Sequence, residues 1–287
     1  MRVGILCSRV RVEEKLLRDA LTQRGADVEL IDDREITLDV AAPRPGWDLI
    51  VERSLSQSRG LAALRVLAAW GVPAVNTHAV AQLCNDKLTT SCALREAGVP
   101  IPRTVIAFSE DSALRAASDL GYPLVLKPLT GSWGRLVARI ADRDAAEALF
   151  EHRATLGTPE HSIFYLQEHI DKPGRDIRAF VVDGETICAV YRESEHWITN
   201  TARGARTSNC PVSAEMDTLC RRAAAAVGGG ALAVDVLESD GSLLVSEVNA
   251  TMEFRNSIDV TGVDIPGRLA EFALAVARRG AVSVGAA

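Results

Sequence analysis

Apolar positions recur along this chain in two rhythms. Short apolar runs at Arg2 to Cys7, Val28 to Ile31, Leu49 to Val51 and Pro73 to Val75 read as strands. Between them, Val12, Leu16, Leu17, Ala20 and Leu21 recur at helical spacing over Val12 to Arg24, and Gly25 supplies a stop. Leu61 to Trp70 repeats that pattern before Gly71. Strand and helix alternate, which predicts a largely parallel sheet with helices on its faces. The first strand leads into Cys7-Ser8-Arg9 and not into a G-x-G-x-x-G turn, so a dinucleotide-binding domain is not expected there.

The pattern then changes. Asn85 or Asp86 caps a helix running to Glu96, and Gly98-Val-Pro-Ile-Pro102 marks a boundary into a second lobe. Strands are expected at Thr104 to Phe108, Leu124 to Lys127, Leu136 to Ile140 and Ile163 to Gln167, with helices over Asp111 to Leu120 and Arg143 to Arg153. A hairpin over Asp183-Gly184 joins Ile177 to Val182 with Thr186 to Tyr191. Arg192 to Pro211 has no period and reads as an irregular polar loop. Ala214 to Val227 and Pro266 to Arg278 read as helices, and the tail AVSVGAA as frayed.

The stretch with the strongest chemical content is Ala231 to Asn256. Two apolar strands, Ala231 to Leu237 and Leu243 to Val248, flank the turn Ser239-Asp240-Gly241-Ser242. Inside them sit Asp235 and Glu247, with Asn249 two residues on and on the same face as Glu247. An acid inside an apolar strand is costly unless paired. Two carboxylates and an amide carbonyl form an all-oxygen set that suits Mg²⁺. The other reading is one strand-end charge, one buried pair and a turn-forming Asn, and the hairpin alone leaves both open.

With 287 residues, 47% hydrophobic and 24% charged, the chain suits a soluble protein of two or three packed lobes. It has no run long enough for a membrane span and no signal-peptide pattern, so no membrane partner and a cytoplasmic location are expected. Six scattered cysteines without C-x-x-C argue against a disulfide framework or a zinc site. A net charge of −6 argues against nucleic acid as a partner. It also means that an anionic substrate needs a local basic cluster, so Arg178, Arg192, Arg203, Arg206 and Arg255 draw attention in the C-terminal half.

Lys127 ends an apolar strand and is followed by Gly131-Ser132-Trp133-Gly134-Arg135. A lysine beside a glycine-rich turn can hold phosphates, although Lys127 as a snorkelling strand-end residue stays open. Gln167-Glu168-His169-Ile170 leaves a strand with polar groups able to read an adenine and a ribose. His196 to Gly204 is a long loop rich in functional side chains and poor in core formers.

Taken together, Lys87, VLKP at Val125 to Pro128, GSWGR, QEHI, GRDIR at Gly174 to Arg178, Asp235 and Glu247-Val-Asn249 resemble the ATP-grasp ligases. The phrases SLSQSRGLAALR, HWITNTARG, NCP, VNATMEFRNS and TGVDIPG narrow the resemblance to the RimK-like branch, and within it to the LysX group of lysine-biosynthesis ligases. That group joins an amino acid to a small acidic amino-group carrier protein. Ala250 departs from the pattern, which has His or another polar residue at that place, and this puts the choice of amino acid in question.

The resemblance implies an α/β chain with α+β lobes, the glutathione-synthetase-like ATP-grasp fold. Residues 1–86 would form an N-terminal parallel-sheet domain, 87–170 a lobe with the phosphate loop, and 171–287 a lobe with metal and substrate sites. It implies ATP held by Lys87, Lys127, Gly131, Ser132, Trp133, Gly134, Arg135, Gln167, Glu168, His169, Ile170, Arg178 and Asn200. It implies one or two Mg²⁺ on Asp235, Glu247 and Asn249, and catalytic charge dispersal by Lys127, Arg178 and Arg203. Ser56, Gln57, Arg59, Arg192, Asn200, Thr201, Arg203, Asn249, Thr251 and Glu253 would face the acidic amino acid or the carrier's tail. A homo-oligomer is also implied. Two other readings are a modifier adding glutamate to the C-terminus of another protein, and an ATP-binding module without catalysis.

Overall fold

A computed structural model describes residues 1–41, 46–131, 134–201 and 204–284. Three sheets organise it. The first is wholly parallel in the order β2-β1-β3-β4, with β1 (Arg2–Cys7), β2 (Asp27–Asp32), β3 (Leu49–Arg53) and β4 (Ala74–Val75). α1 (Val12–Gln23) lays Leu17, Ala20 and Leu21 on it, as its period predicts. α2 (Gln57–Ala69) starts four residues before the apolar stripe does, because the Ser56 hydroxyl accepts from Arg59 N at 3.4 Å and caps it.

α3 (His78–Asn85) was not foreseen. It is one short helix capped by Thr77, burying Val80, Ala81 and Cys84. α4 (Lys87–Glu96) begins where Asp86 accepts from Thr89 N at 2.8 Å. Both pack on the third sheet, since Val80, Cys84 and Leu94 share a core with Ile177, Val181, Val234 and Val248. α4 therefore joins the C-terminal lobe by packing, although the phosphate-loop lobe follows it along the chain.

That lobe holds an antiparallel sheet ordered β5-β8-β6-β7, from β5 (Thr104–Ala107), β6 (Leu124–Lys127), β7 (Ala138–Ile140) and β8 (Phe164–Glu168). α5 (Glu110–Leu120) and α6 (Arg143–Leu156) cover one face around Phe150 and Phe164, whose rings meet edge-on at 5.0 Å.

The third sheet is antiparallel in the order β11-β10-β9-β12-β13: β9 (Arg175–Val182), β10 (Glu185–Glu193), β11 (Arg206–Cys210), β12 (Ala231–Ser239) and β13 (Ser242–Asn249). α7 (Ala214–Ala226) packs on it. β11 corrects the expectation of an irregular loop up to Pro211. It is an edge strand in which only Cys210 is buried, so it shows no apolar period. α8 (Arg255–Thr261) also lacks a stripe, burying only Ser257, and was likewise unforeseen.

α9 (Ile265–Val284) returns to the first sheet, where Leu269, Ala273 and Leu274 join Leu17 and Leu21. It continues past Arg278 into the tail expected to fray, and 285–287 lie outside the described residues. All six cysteines are free, Cys92 alone being exposed. Among the described residues no helix is long and apolar enough to cross a membrane.

Candidate active site

One cleft draws its walls from all three sheets, and the β12–β13 hairpin forms its floor. The hairpin turns on Asp240-Gly241, both at positive φ (45° and 79°), which sets a two-residue turn with Ser239 opposite Ser242. Counted from that turn alone Asp235 would face Ser246, but a bulge between Asp235 and Val236 shifts the register by one residue and sets Glu247 opposite Asp235. The two acids and Asn249 all line the cleft.

Asp235 does not stand free. On its other side β9 places Arg178 opposite it, and the guanidinium meets both carboxylate oxygens at 2.8 Å. Arg192 on β10 adds a contact at 3.2 Å to Oδ2. Burial pushes the Asp235 carboxyl up, but the two guanidiniums outweigh it and hold it below the usual range. Arg192 is itself held at Nε by Asp176 Oδ1 at 2.6 Å. Asp176 also accepts from the Thr199 hydroxyl and lies 3.6 Å from Lys172 Nζ, which donates to Thr199 Oγ1 at 2.6 Å. This buried chain of charges ties the 194–201 loop to the sheet.

Lys87 Nζ donates to Gly131 O at 2.9 Å and lies 3.4 Å from Glu247 Oε1. Lys127 Nζ lies 3.3 Å from Ser246 Oγ. Burial, reinforced by Lys87 and Lys172 and opposed by Glu247 and Asp235, pushes the Lys127 ammonium down to about 8. Gly134, at φ 64°, packs so close to the neighbouring loop that a Cβ would meet Asn200 Nδ2 at 2.9 Å and Ile198 Cγ2 at 3.1 Å. The phosphate loop and the 196–201 loop thus touch across the cleft.

Gln167 is buried and donates to Thr104 Oγ1 at 3.0 Å, while Glu168 Oε1 accepts from Arg103 N at 2.6 Å. His169, facing Trp197 at 6.1 Å between ring centres, has its imidazole pushed down by burial and by Arg139. Ile170, Arg135, Asn200 and Thr201 also line the cleft. Thr251 donates to Glu52 Oε2 at 2.9 Å, and Glu253 pairs with Arg11 at 2.9 Å.

Of the predicted trio in the N-terminal domain, Gln57 lines the cleft. Ser56 is used as the α2 cap, and Arg59 pairs with Asp33 at 3.0 Å. Arg206 is a surface residue bound to Glu193, and Arg255 lines a second cavity beside the cleft. Ser132, Trp133 and Arg203 lie outside the described residues.

Sequence reasoning passed over Glu52, Lys172, Asp176 and Thr199, all of which line the cleft. Glu52 carries the same signal that singled out Asp235, an acid in the apolar strand LIVER. For Asp176 and Thr199 no local signal exists, because their partners come from other elements.

The hairpin's donors fit a hard cation. Glu247 faces the cleft about one-third exposed, and Asn249 has an amide nitrogen buried without a partner, so its amide is not committed elsewhere. Among the described residues no group of three or more acids, histidines or cysteines is placed to hold a metal ion. Mg²⁺ does not need one, since it takes one or two carboxylates together with phosphate oxygens and water.

The profile of the RimK-like ATP-grasp domain matches residues 84–273, and that of the LysX preATP-grasp domain matches 3–83. The chain belongs to the RimK-like ATP-grasp family. Among similar family members, the alpha-aminoadipate–LysW ligase LysX of Saccharolobus solfataricus is 35% identical over 78% of this chain and 82% of its own length. The glutamate–LysW ligase ArgX of Sulfolobus acidocaldarius is 32% identical over 95% of this chain and 98% of its own. A RimK domain ATP-grasp protein from Sphaerobacter thermophilus superimposes with a TM-score of 0.78 at 30% identity, covering 96% of this chain and all of the other. The expected ATP-grasp fold is therefore borne out, and ATP is the nucleotide of the family.

Proposed function

We propose that this RimK-like ATP-grasp protein joins the amino group of an acidic amino acid, 2-aminoadipate or glutamate, to the C-terminal glutamate of a small LysW-like carrier, with release of ADP and phosphate. The observation that carries this is the cleft itself. Lys87, Lys127, Arg178 and Arg192 converge there on the acids of one hairpin, with no acid–base dyad among the residues assigned so far. Such a site favours phosphoryl transfer to a nucleophile that is already anionic. The likeness to both LysX and ArgX supports the carrier and the substrate class.

In the first step the carrier's carboxylate attacks the γ-phosphorus, the bond to the β,γ-bridging oxygen breaks with its electron pair leaving on ADP, and the carboxylate becomes an acyl phosphate. In the second the amine attacks the acyl carbon and phosphate leaves. Asp235, Glu247 and Asn249 would hold Mg²⁺, which when bound neutralises phosphate oxygens as charge moves. Lys87 and Lys127 would hold the phosphates beside Gly131, Gly134 and Arg135, with Gln167, Glu168, His169 and Ile170 along the adenine and ribose. Arg178, released from Asp235 as the phosphates arrive, would steady the transferring group. Asn200, Thr201, Thr251 and Glu253 would line the amino-acid end, with Gln57 toward the carrier tail.

Mass spectrometry of a LysW-type carrier after incubation with enzyme, ATP, Mg²⁺ and each amino acid tests this. A carrier heavier by one residue of 2-aminoadipate or of glutamate is expected, and the two differ by one methylene. An unmodified carrier with both, or ADP release that needs neither substrate, overturns the reading.

A further inference from the structure

Four acids in the cleft are each matched by a cation. Asp176 and Asp235 pair with arginines, Glu247 with Lys87 and Glu253 with Arg11. Glu52 is different. It is the next-to-last residue of β3, at the C-terminal edge of the parallel sheet where such folds open their ligand crevices, and among the described residues it has no ion-pair partner. Its carboxylate is nonetheless held in place, Oε1 accepting from Ser54 N at 2.6 Å and Oε2 from the Thr251 hydroxyl at 2.9 Å.

The fold also makes room for it. A Cβ on Gly60, in the first turn of α2, would sit 2.5 Å from Glu52 Oε1, so the glycine clears the space that the carboxylate occupies. Thr251 follows Asn249 by two residues, which tethers Glu52 to the segment leaving the hairpin. A carboxylate has about four acceptor positions, and two of these are filled by Ser54 and Thr251. An amino acid arrives with its amine as ammonium, and this amine cannot attack until it loses a proton.

We propose that Glu52 receives the ammonium of the incoming amino acid and takes one proton from it. The N–H bond breaks toward a Glu52 oxygen, the freed electron pair forms the C–N bond, and the C–O bond to phosphate breaks with its pair leaving on phosphate. The second nitrogen proton departs with that phosphate, which leaves the amide. Burial, which pushes the Glu52 carboxyl up, suits it to accept the proton. The inference rests on the ligase reading above.

The test is Glu52→Gln with the carrier and ATP, using two acceptors. Glutamine keeps an acceptor oxygen for Ser54 N and can donate its amide N–H to the Thr251 hydroxyl oxygen, but has no charge. Hydroxylamine, which is neutral near pH 7, captures the acyl phosphate as a hydroxamate without needing a base. In E52Q, kcat/KM for the amino acid is expected to fall by about 100-fold, while hydroxamate formation stays within about twofold of wild type. Equal loss of both products would make Glu52 a structural clamp and overturn the proposal, as would amino-acid ligation at the wild-type kcat/KM. No hydroxamate from the wild-type enzyme would instead remove the acyl phosphate, and the ligase reading with it.

Discussion

Arg178 and Asp235 stand opposite each other on β9 and β12, joined by two hydrogen bonds of 2.8 Å. With Arg192 also 3.2 Å from Asp235, the residue foreseen as a metal ligand carries two guanidiniums on its oxygens. The arrangement reads as a charge reserve. On the proposed reading, triphosphate oxygens would offer the arginines another partner, and Asp235 would then be free to help hold a cation on the hairpin.

Asp235→Asn is expected to lower stability by about 3–5 kcal/mol, because it leaves the largely buried Arg178 without its counter-charge and Arg192 with Asp176 alone. Urea unfolding of the two proteins at neutral pH measures this. The sign with pH follows from the depressed Asp235 carboxyl. Its contribution is present above the ordinary aspartate value of 3.8 and is lost as pH falls below that toward the folded-state value. The stability gap between wild type and variant should therefore close in acid. A gap that persists unchanged to low pH would contradict the pairing.

Thr199→Val removes the hydroxyl that bridges Lys172 and Asp176 while keeping the side chain's shape. A stability loss of about 1–3 kcal/mol is expected from the unsatisfied buried groups. Hydrogen exchange should quicken over 194–201, with the amides of β5 to β8 unchanged, since those strands belong to a separate core. Uniform acceleration over the whole chain would argue against a local tether.

What could be read in advance follows the range of each interaction. The β12–β13 hairpin was legible from its turn and its two apolar strands, but the pairing of Asp235 with Glu247 was not, because it depends on a bulge that shifts the register by one residue. The parallel first sheet was legible from alternation of strand and helix. β11 and α8 were not, because an edge strand with one buried residue and a short helix with one buried serine carry no apolar rhythm. Asp176 shows the deeper limit. Its neighbours in space, Arg192, Thr199 and Lys172, come from β10 and two loops, and no local pattern links them. Glu52 was visible as an acid in an apolar strand, yet its lack of an ion-pair partner among the described residues appears only once the strands are assembled.

Asn76→Ala tests how the N-terminal sheet is fastened to the hairpin. The Asn76 amide donates to Ala231 O at 2.7 Å and to Ala250 O at 2.6 Å, and accepts from Ala231 N at 2.8 Å. It thus joins the residue after β4 to the start of β12 and to the segment following Asn249. Truncation leaves three backbone groups unpaired and is expected to cost on the order of 3 kcal/mol. Thermal unfolding measures it, and a melting temperature equal to that of wild type would show that water replaces the amide.

Lys127 makes a prediction in the alkaline range. Burial and the neighbouring Lys87 and Lys172 lower its ammonium from 10.5 to about 8, against the pull of Glu247 and Asp235. Below pH 8 the charge is in place to meet phosphate. Above it, nucleotide binding must first take up a proton, so the Kd for ATP should rise by about tenfold per pH unit until the pKa of Lys127 in the ATP complex is reached. Calorimetry of ATP binding in buffers of different ionisation enthalpy reads both the affinity and the proton taken up. Folding stability should move the other way. The unfolded chain holds the proton up to 10.5 while the folded one releases it near 8, so the cost of burying the charge fades as pH rises between the two. Lys127→Arg keeps its charge throughout and should remove the break in affinity near pH 8. A wild-type Kd that stays flat from pH 7 to 10, with no proton uptake, would mean that Lys127 does not meet the phosphates.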